Sequence, residues 1–368
     1  MREDLLRLIG DPERVITEQI EDKYLSDTLG RRRGTAAALV FPLSTAEVSA
    51  VMRYAYERGI PVTPRGAGTN LVGSTVPRGQ GIILDFSRMN HILEVDEATF
   101  TATVEPGVLL KDFQAHVEAM GLFYPPDPGE KESTLAGNIS TNAGGMRAVK
   151  YGVTRDYVRG LEIVLADGQV MTVGSKNVKD ASGLPLKQLF IGAEGTLGVI
   201  TKCVLRLVPK PEKSLSVLVP YGELKTGIAS VHAVLMADAN PTAVEFIERS
   251  VVELGERYTG VHFPCPQAQA YLLLTFDGHG ETVEKNAQRV RQVVQDNGAL
   301  DYIELTDPAL AADIWRVRGC FVKAGEAVSE QGLLGALSGG LSAAAAGVSA
   351  AVFFSLIAAF LFKPKSRG

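Results

Sequence analysis

Pro64-Arg65-Gly66-Ala67-Gly68-Thr69-Asn70 follows a strand-like run, Gly59-Ile60-Pro61-Val62-Thr63, and precedes another, Gly81-Ile82-Ile83-Leu84-Asp85. A loop this poor in side chains lets its backbone N–H groups close on a ligand. Clustered backbone donors suit a phosphate or pyrophosphate. Pro64 stiffens the entry, and Thr69 and Asn70 add side-chain hydrogen-bonding capacity. A glycine-rich surface turn is the alternative reading of this loop taken alone. Two further segments of the same character favour the ligand. Ser133-Thr134-Leu135-Ala136-Gly137-Asn138-Ile139-Ser140-Thr141-Asn142-Ala143-Gly144-Gly145 offers small residues and hydroxyls that can lie flat against a planar ring system. Phe190-Ile191-Gly192-Ala193-Glu194-Gly195-Thr196-Leu197-Gly198-Val199-Ile200-Thr201 repeats glycine at every third position before a β-branched run.

Around these segments the chain reads as alternating elements. Short amphipathic helical pieces run to Arg31-Arg32-Arg33, a basic cluster read as solvated surface. Ala36–Phe41 has a buried-strand pattern. Ser44 can cap a helix whose Glu47 completes a capping box and which Gly59 ends. Leu71 stands where a G-x-G-x-x-G fingerprint needs its third glycine, which disfavours a nicotinamide-type Rossmann site. Strands are expected at Ile82–Phe86, Ile92–Val95, Thr99–Val104, Gly160–Leu165, Gln169–Val173 and Val199–Val208, with a helix over Leu110–Met120. Pro209-Lys210-Pro211 marks a domain boundary. Beyond it the order strand 214–221, helix 224–236, strands 242–248 and 271–277, helix 281–296, strand 300–305 and helix 308–318 gives a βαββαβ unit of ferredoxin-like type.

Composition sets outer limits. The chain has 368 residues, 46% hydrophobic and 21% charged, with 37 Lys+Arg against 42 Asp+Glu. That is globular composition long enough for two cores, and the net charge of -5 gives no reason to expect nucleic acid. Cys203, Cys265 and Cys320 are far apart and are read as buried, reduced thiols of a cytoplasmic protein. Met1–Ile9 mixes charges with leucines and is no signal peptide.

With these motifs in view, the chain over about residues 39–318 resembles the flavin-dependent 2-hydroxy acid oxidoreductases. That group includes glycolate oxidase catalytic subunits, D-lactate dehydrogenases and D-2-hydroxyglutarate dehydrogenases. PRGAGT, the Pro125-Pro126-Asp127-Pro128 loop, GNISTNAGG, KYGVTRDYV and GAEGTLGVIT stand in that family's order. The resemblance implies an α+β chain: a helical segment over 1–35, a two-lobed vanillyl-alcohol-oxidase/PCMH-type FAD-binding domain over 36–210, and a ferredoxin-like cap over 211–330. An apolar tail over 331–368 follows.

The resemblance also implies roles for residues. Pro64, Arg65, Gly66, Ala67, Gly68, Thr69 and Asn70 would hold the FAD pyrophosphate. Pro126, Asp127, Ser133 and Thr134 would line the ring side. Gly137, Asn138, Asn142, Gly144 and Gly145 would contact the flavin and ribityl chain, with Tyr151 and Gly152 closing around it. Glu194, Gly195, Gly198, Val199 and Ile200 would sit against the adenine half. Some relatives attach FAD through a histidine in the pyrophosphate loop. No histidine lies between Val62 and Asn90 here, so FAD is expected to be non-covalent. Trp315-Arg316-Val317-Arg318 matches a cap-domain element that binds the substrate carboxylate, with Arg318 the favoured anchor and Arg316 its neighbour. An arginine on a solvated helix face is the alternative there.

The implied reaction is hydride transfer from the α-carbon of a small 2-hydroxy acid to flavin, with a base taking the hydroxyl proton. Two departures from the family stand out. Gly183-Leu184-Pro185-Leu186 replaces a glycine, an aromatic and an aspartate near the flavin. The family's histidine-bearing metal motif and Glu-His pair have no counterpart, because His91, His116, His232, His262 and His279 form no ligand pair. No metal and no base are therefore assigned. Residues 333–362 carry no charge, and 343–362 are long and apolar enough to span a bilayer as a C-terminal helix. A membrane anchor, an interfacial helix and an out-of-family scar all remain open for that tail. Expected partners are the hydroxy acid, an electron-acceptor subunit or quinone, and a membrane through the tail. An accessory electron-transfer subunit and an inactive remnant are the rival functions.

Overall fold

The computed structural model describes residues 1–30 and 32–330. It divides into two compact units, Met1–Lys210 and the residues from Pro211 on. The apolar tail expected to form a C-terminal helix lies outside the described residues. Among the described residues no helix is long and apolar enough to cross a membrane.

The first unit has two lobes. β1 (Val15–Ile16), β2 (Ala36–Val40), β3 (Val62–Arg65) and β4 (Gly81–Asp85) form a sheet in the order β1-β2-β4-β3. β2, β4 and β3 run parallel, with Ile83 opposite both Leu39 and Thr63, and β1 is antiparallel to β2. A parallel sheet is covered on both faces, so its strands read as unbroken apolar runs. β4 is buried along its whole length. Leu5, Ile9, Val48 and Val51, from helices Arg2–Ile9 and Thr45–Glu57, cover one face. Ile20, Tyr24, Leu25 and Phe41 cover Leu39 and Ile83 on the other.

The helix Thr45–Glu57 starts as its capping signal predicts, but only half of the capping box closes. Ser44 Oγ accepts from the Glu47 N–H at 3.2 Å. The Glu47 carboxylate reaches one residue further back, to the Leu43 N–H at 2.8 Å, because buried Arg14 draws it there through Nη1 at 2.6 Å.

β5 (Ile92–Asp96), β6 (Thr101–Val104), β7 (Leu122–Phe123), β8 (Val158–Val164), β9 (Val170–Gly174), β10 (Val199–Arg206) and β11 (Val208–Pro209) follow. Five of them form an antiparallel sheet in the order β5-β6-β10-β8-β9, and β7 pairs with β11. The strand expected over Val199–Val208 is broken at Leu207, whose N–H donates to the Phe100 carbonyl at 2.7 Å. Phe113, Leu135 and Ile139 of the covering helices complete this lobe's core. Val164 and Val199 bury into the core of the first lobe. Thr45 Oγ1 donates to the Glu162 carboxylate at 2.6 Å, and Ser49 Oγ to the Gly168 carbonyl at 2.5 Å. The lobes are thereby locked together on one side and stay open where the cleft described below runs.

In the second unit β12 (Lys213–Tyr221), β13 (Ala243–Glu248), β14 (Ala270–Gly278) and β15 (Ile303–Glu304) make a sheet in the order β13-β14-β12-β15 with antiparallel neighbours. This is the ferredoxin-like strand order, with helices Leu224–Met236 and Gly280–Asp296 packed on one face. The sequence reading missed a helix, Arg249–Thr259, between the two middle strands. Its polar composition and its glycine disguise it. Gly255 is there for close packing: a Cβ would stand 2.8 Å from Cγ1 of Val317 on the facing helix Pro308–Gly319. Cys203 and Cys320 are buried, and burial pushes both thiols up. Cys265 differs from expectation in being only half-buried.

Candidate functional site

An open cleft of about 210 Å³ runs between the two lobes of the first unit. It opens at the carboxyl ends of β3 and β4, the place where parallel sheets take their ligands. Three separate segments line it. Pro64–Asn70 contributes every one of its residues. Ser133, Thr134, Gly137 and Asn138 come from the second segment, and Glu194, Gly195, Gly198, Val199 and Ile200 from the third. The segments touch one another. A Cβ on Gly66 would collide with Thr134 Oγ1, and a Cβ on Gly195 would lie 2.5 Å from Pro64 Cγ. Gly195 also holds φ at 76°, where a side chain is strained. The Glu194 N–H donates to the Ser140 carbonyl at 2.8 Å, tying the third segment to the second.

Among the described residues, no backbone N–H from Gly66 to Asn70 donates to a protein acceptor. A loop that leaves five consecutive donors unused is a nest for an anion. Arg65 lies beneath it, 6% exposed. Its Nη2 donates to the Lys23 carbonyl at 2.6 Å, and its guanidinium faces the Tyr24 ring at 5.4 Å and Asp85 at 3.8 Å. Nη1 is buried without a partner. Burial pushes the Asp85 carboxyl up, against the opposing pull of Ser87 and Arg65.

Asn70 is spent inside the loop. Its Oδ1 accepts from the N–H groups of Gly73 and Ser74 at 2.9 and 3.1 Å, and its Nδ2 donates to Thr75 Oγ1 at 3.0 Å.

The remaining expected residues build the wall behind the lining. Pro126 gives its carbonyl to Gln114 Nε2 at 3.1 Å. Asp127, buried, pairs with Lys131 and with Arg147 Nε at 3.4 Å. Gly145 packs against the Asp127 carbonyl, and Gly144 faces Val153. Asn142 accepts from the Arg155 N–H at 2.9 Å. Tyr151 meets Phe123 edge-on at 6.0 Å, and Gly152 at φ 82° clears the Asp156 carboxylate. The variant stretch Gly183–Leu186 is exposed and does not line the cleft.

Sequence reasoning missed Gln114, a buried side chain that holds the Tyr124 and Pro126 carbonyls and so fixes the proline-rich loop. A polar residue on the apolar face of a predicted helix was the available signal. It also missed Ser74 and Thr75 along the cleft, while Ser140 and Thr141 line it from within the second segment.

In the second unit the two candidate arginines part company. Arg318 donates from Nε and Nη2 to one oxygen of Glu245, at 3.0 and 2.5 Å. Arg316 faces solvent and pairs with Asp313 at 2.8 Å. Among the described residues no group of three or more His, Cys, Asp or Glu side chains is placed to hold a metal.

Residues 36–174 match the FAD binding domain family, and residues 210–335 match the C-terminal domain of FAD linked oxidases. The chain is 42% identical over 326 residues to a D-lactate dehydrogenase of Anaerostipes hadrus, covering 86% of this chain and 68% of that one. It belongs to the FAD-linked oxidases. It is also 41% identical over 278 residues to glycolate oxidase subunit GlcD of Bacillus subtilis, covering 75% of this chain and 59% of the relative. The chain thus spans about three fifths to two thirds of the length of these curated relatives. Among solved structures, p-cresol methylhydroxylase superposes with a TM-score of 0.73 at 22% identity, over 86% of this chain and 68% of that one. Alkyldihydroxyacetonephosphate synthase gives 0.72 at 18%, over 86% and 63%. Both share the fold. FAD is the family's cofactor, and the cleft suits it: unused backbone donors for the diphosphate, and glycines where the walls close on a flat ligand.

Gly195→Ala should disturb the cleft wall where the segments meet. Its methyl meets Pro64 and its φ of 76° strains any side chain, so FAD affinity should fall by about 10-fold or more and the apoprotein should also lose some stability. Flavin fluorescence titration of the apoprotein measures this.

Proposed function

We propose that this chain oxidises a small 2-hydroxy acid of the glycolate or D-lactate type, using non-covalently held FAD. The observation that carries the reading is the combination, in one chain of this family, of a glycine-walled cleft with a cap unit whose Arg318 is held ready by Glu245. FAD, when bound, supplies the acceptor for the α-hydrogen as hydride. The chain's own residues would hold the cofactor and the substrate, and the hydroxyl proton would pass to water, no base being assigned among the described residues. The N–H groups of Gly66–Asn70 would take the diphosphate, Ser133, Thr134, Gly137 and Asn138 would flank the flavin half, and Glu194–Ile200 the adenine half. Among the described residues no histidine lines the cleft, which supports a non-covalent cofactor.

Arg318 would hold the substrate carboxylate. Glu245 takes the Nε–H and one Nη2–H, fixing the plane of the guanidinium. The end-on edge, Nη1 with the second Nη2 hydrogen, is then left for a two-pronged grip. Arg316, exposed and paired along its own helix, is the poorer anchor.

The full chain, mixed with glycolate or D-lactate without oxygen, should lose its yellow absorbance, and acid precipitation should release the FAD to the supernatant. Arg318→Ala should raise the KM by about 10-fold or more, the worth of a charge-assisted hydrogen bond, while Arg316→Ala stays within about 2-fold. A yellow protein that neither acid bleaches carries FAD without this activity and overturns the reading. Flavin that stays with the acid pellet overturns the non-covalent cofactor.

A further inference from the structure

The cofactor loop is not self-supporting. Ahead of the matched FAD-binding region, residues 26–30 and 32–33 pair as a small hairpin: Ser26 bridges Arg33, and the Asp27 N–H donates to the Arg32 carbonyl at 3.1 Å. Its root is fixed by Tyr24 and Leu25 in the apolar cluster under the first sheet. Its body reaches the Pro64–Asn70 loop and the turn beyond. Thr28 Oγ1 donates to the Gly68 carbonyl at 2.8 Å, and Arg32 Nη1 to the Val72 carbonyl at 3.0 Å. The Lys23 carbonyl, just before the hairpin, holds Arg65. The loop is therefore pinned near its start, its middle and its end by a segment that does not itself line the cleft.

The middle pin has a directional consequence. A trans peptide is planar, with its carbonyl and its N–H on opposite sides. All peptides of the described chain are trans. A Gly68 carbonyl held by Thr28 turns the Thr69 N–H away from the hairpin. That N–H is one of the unused donors, and Thr69 lines the cleft. Gly68 sits at φ 74°, where a glycine peptide can rotate at little cost. Without the pin, the peptide can flip and present an oxygen to an anion instead of a donor.

We infer that the N-terminal hairpin is part of the FAD site, with Thr28 and Arg32 as positioning residues that set the donor face of the diphosphate loop. The inference rests on FAD occupying this cleft.

Thr28→Val tests it, because the side chain is exposed and the substitution removes only the hydroxyl. Thr35→Val is the matched control. Its hydroxyl donates from the same segment to the Gly79 carbonyl at 3.1 Å, away from the cleft. FAD dissociation constants of the full-length apoproteins are read by flavin fluorescence, and thermal unfolding is followed alongside. Thr28→Val should weaken FAD about 5-fold, the value of one net hydrogen bond, with the apoprotein midpoint unchanged. Thr28→Ser should restore wild-type affinity, and Thr35→Val should leave it within about 2-fold. Unchanged affinity in Thr28→Val, an equal loss in Thr35→Val, or no rescue by serine overturns the inference. Wild-type protein that takes up no FAD would instead sink the cofactor reading itself.

Discussion

The first unit depends on a steric demand: three backbone segments far apart in sequence must approach one another more closely than side chains allow. Gly66 faces Thr134 with no room for a methyl, and Gly195 faces Pro64 in the same way. The core of each lobe is built to meet that demand. Parallel strands β3 and β4 end at the cleft, β10 begins there, and Val164 with Val199 ties the second sheet into the first lobe. Close approach has a polar consequence too. The Gly66–Asn70 loop leaves its N–H groups unused by the protein, a state that costs free energy unless water or a ligand takes them. On the proposed reading, FAD binding by this chain would follow from the way the lobes are joined, with few side chains acting directly.

Much of this was legible in the sequence because it is local. The Ile82–Leu84 run could only be a covered strand, and Ser44 marked its helix start to the residue. The glycine-rich segments announced themselves by composition. What could not be read was which of their residues face the cleft. Asn142, Gly144, Gly145 and Gly152 lie in or beside the same motifs as Gly137 and Asn138, yet they shape the wall from behind. That difference is set by partners such as Arg155, Asp127 and Asp156, which no local pattern pairs with them. The Asn70 side chain is taken up by its own loop, as asparagine side chains often are in turns, and only its backbone N–H is left for a ligand.

The second unit shows the same division. Its strand order follows from the element order, while the helix Arg249–Thr259 was hidden because its buried face is narrow and includes Gly255. The tryptophan–arginine element named two arginines and favoured Arg318, but nothing local pointed to the partner that holds it. The distinction comes from Glu245 on β13, 73 positions away in sequence, which fixes Arg318 and leaves Arg316 to the solvent. Long-range electrostatic partners of this kind decide which arginine is preorganised, and a periodic pattern carries no trace of them.

Amide hydrogen exchange with and without FAD tests the central claim most directly, since it reports each segment separately. If one cofactor is wrapped by all three, the amides of 66–70, 133–145 and 192–198 should gain protection together on FAD addition, with strands β12–β14 unchanged. Protection confined to one segment, or absent from 66–70, would contradict the account.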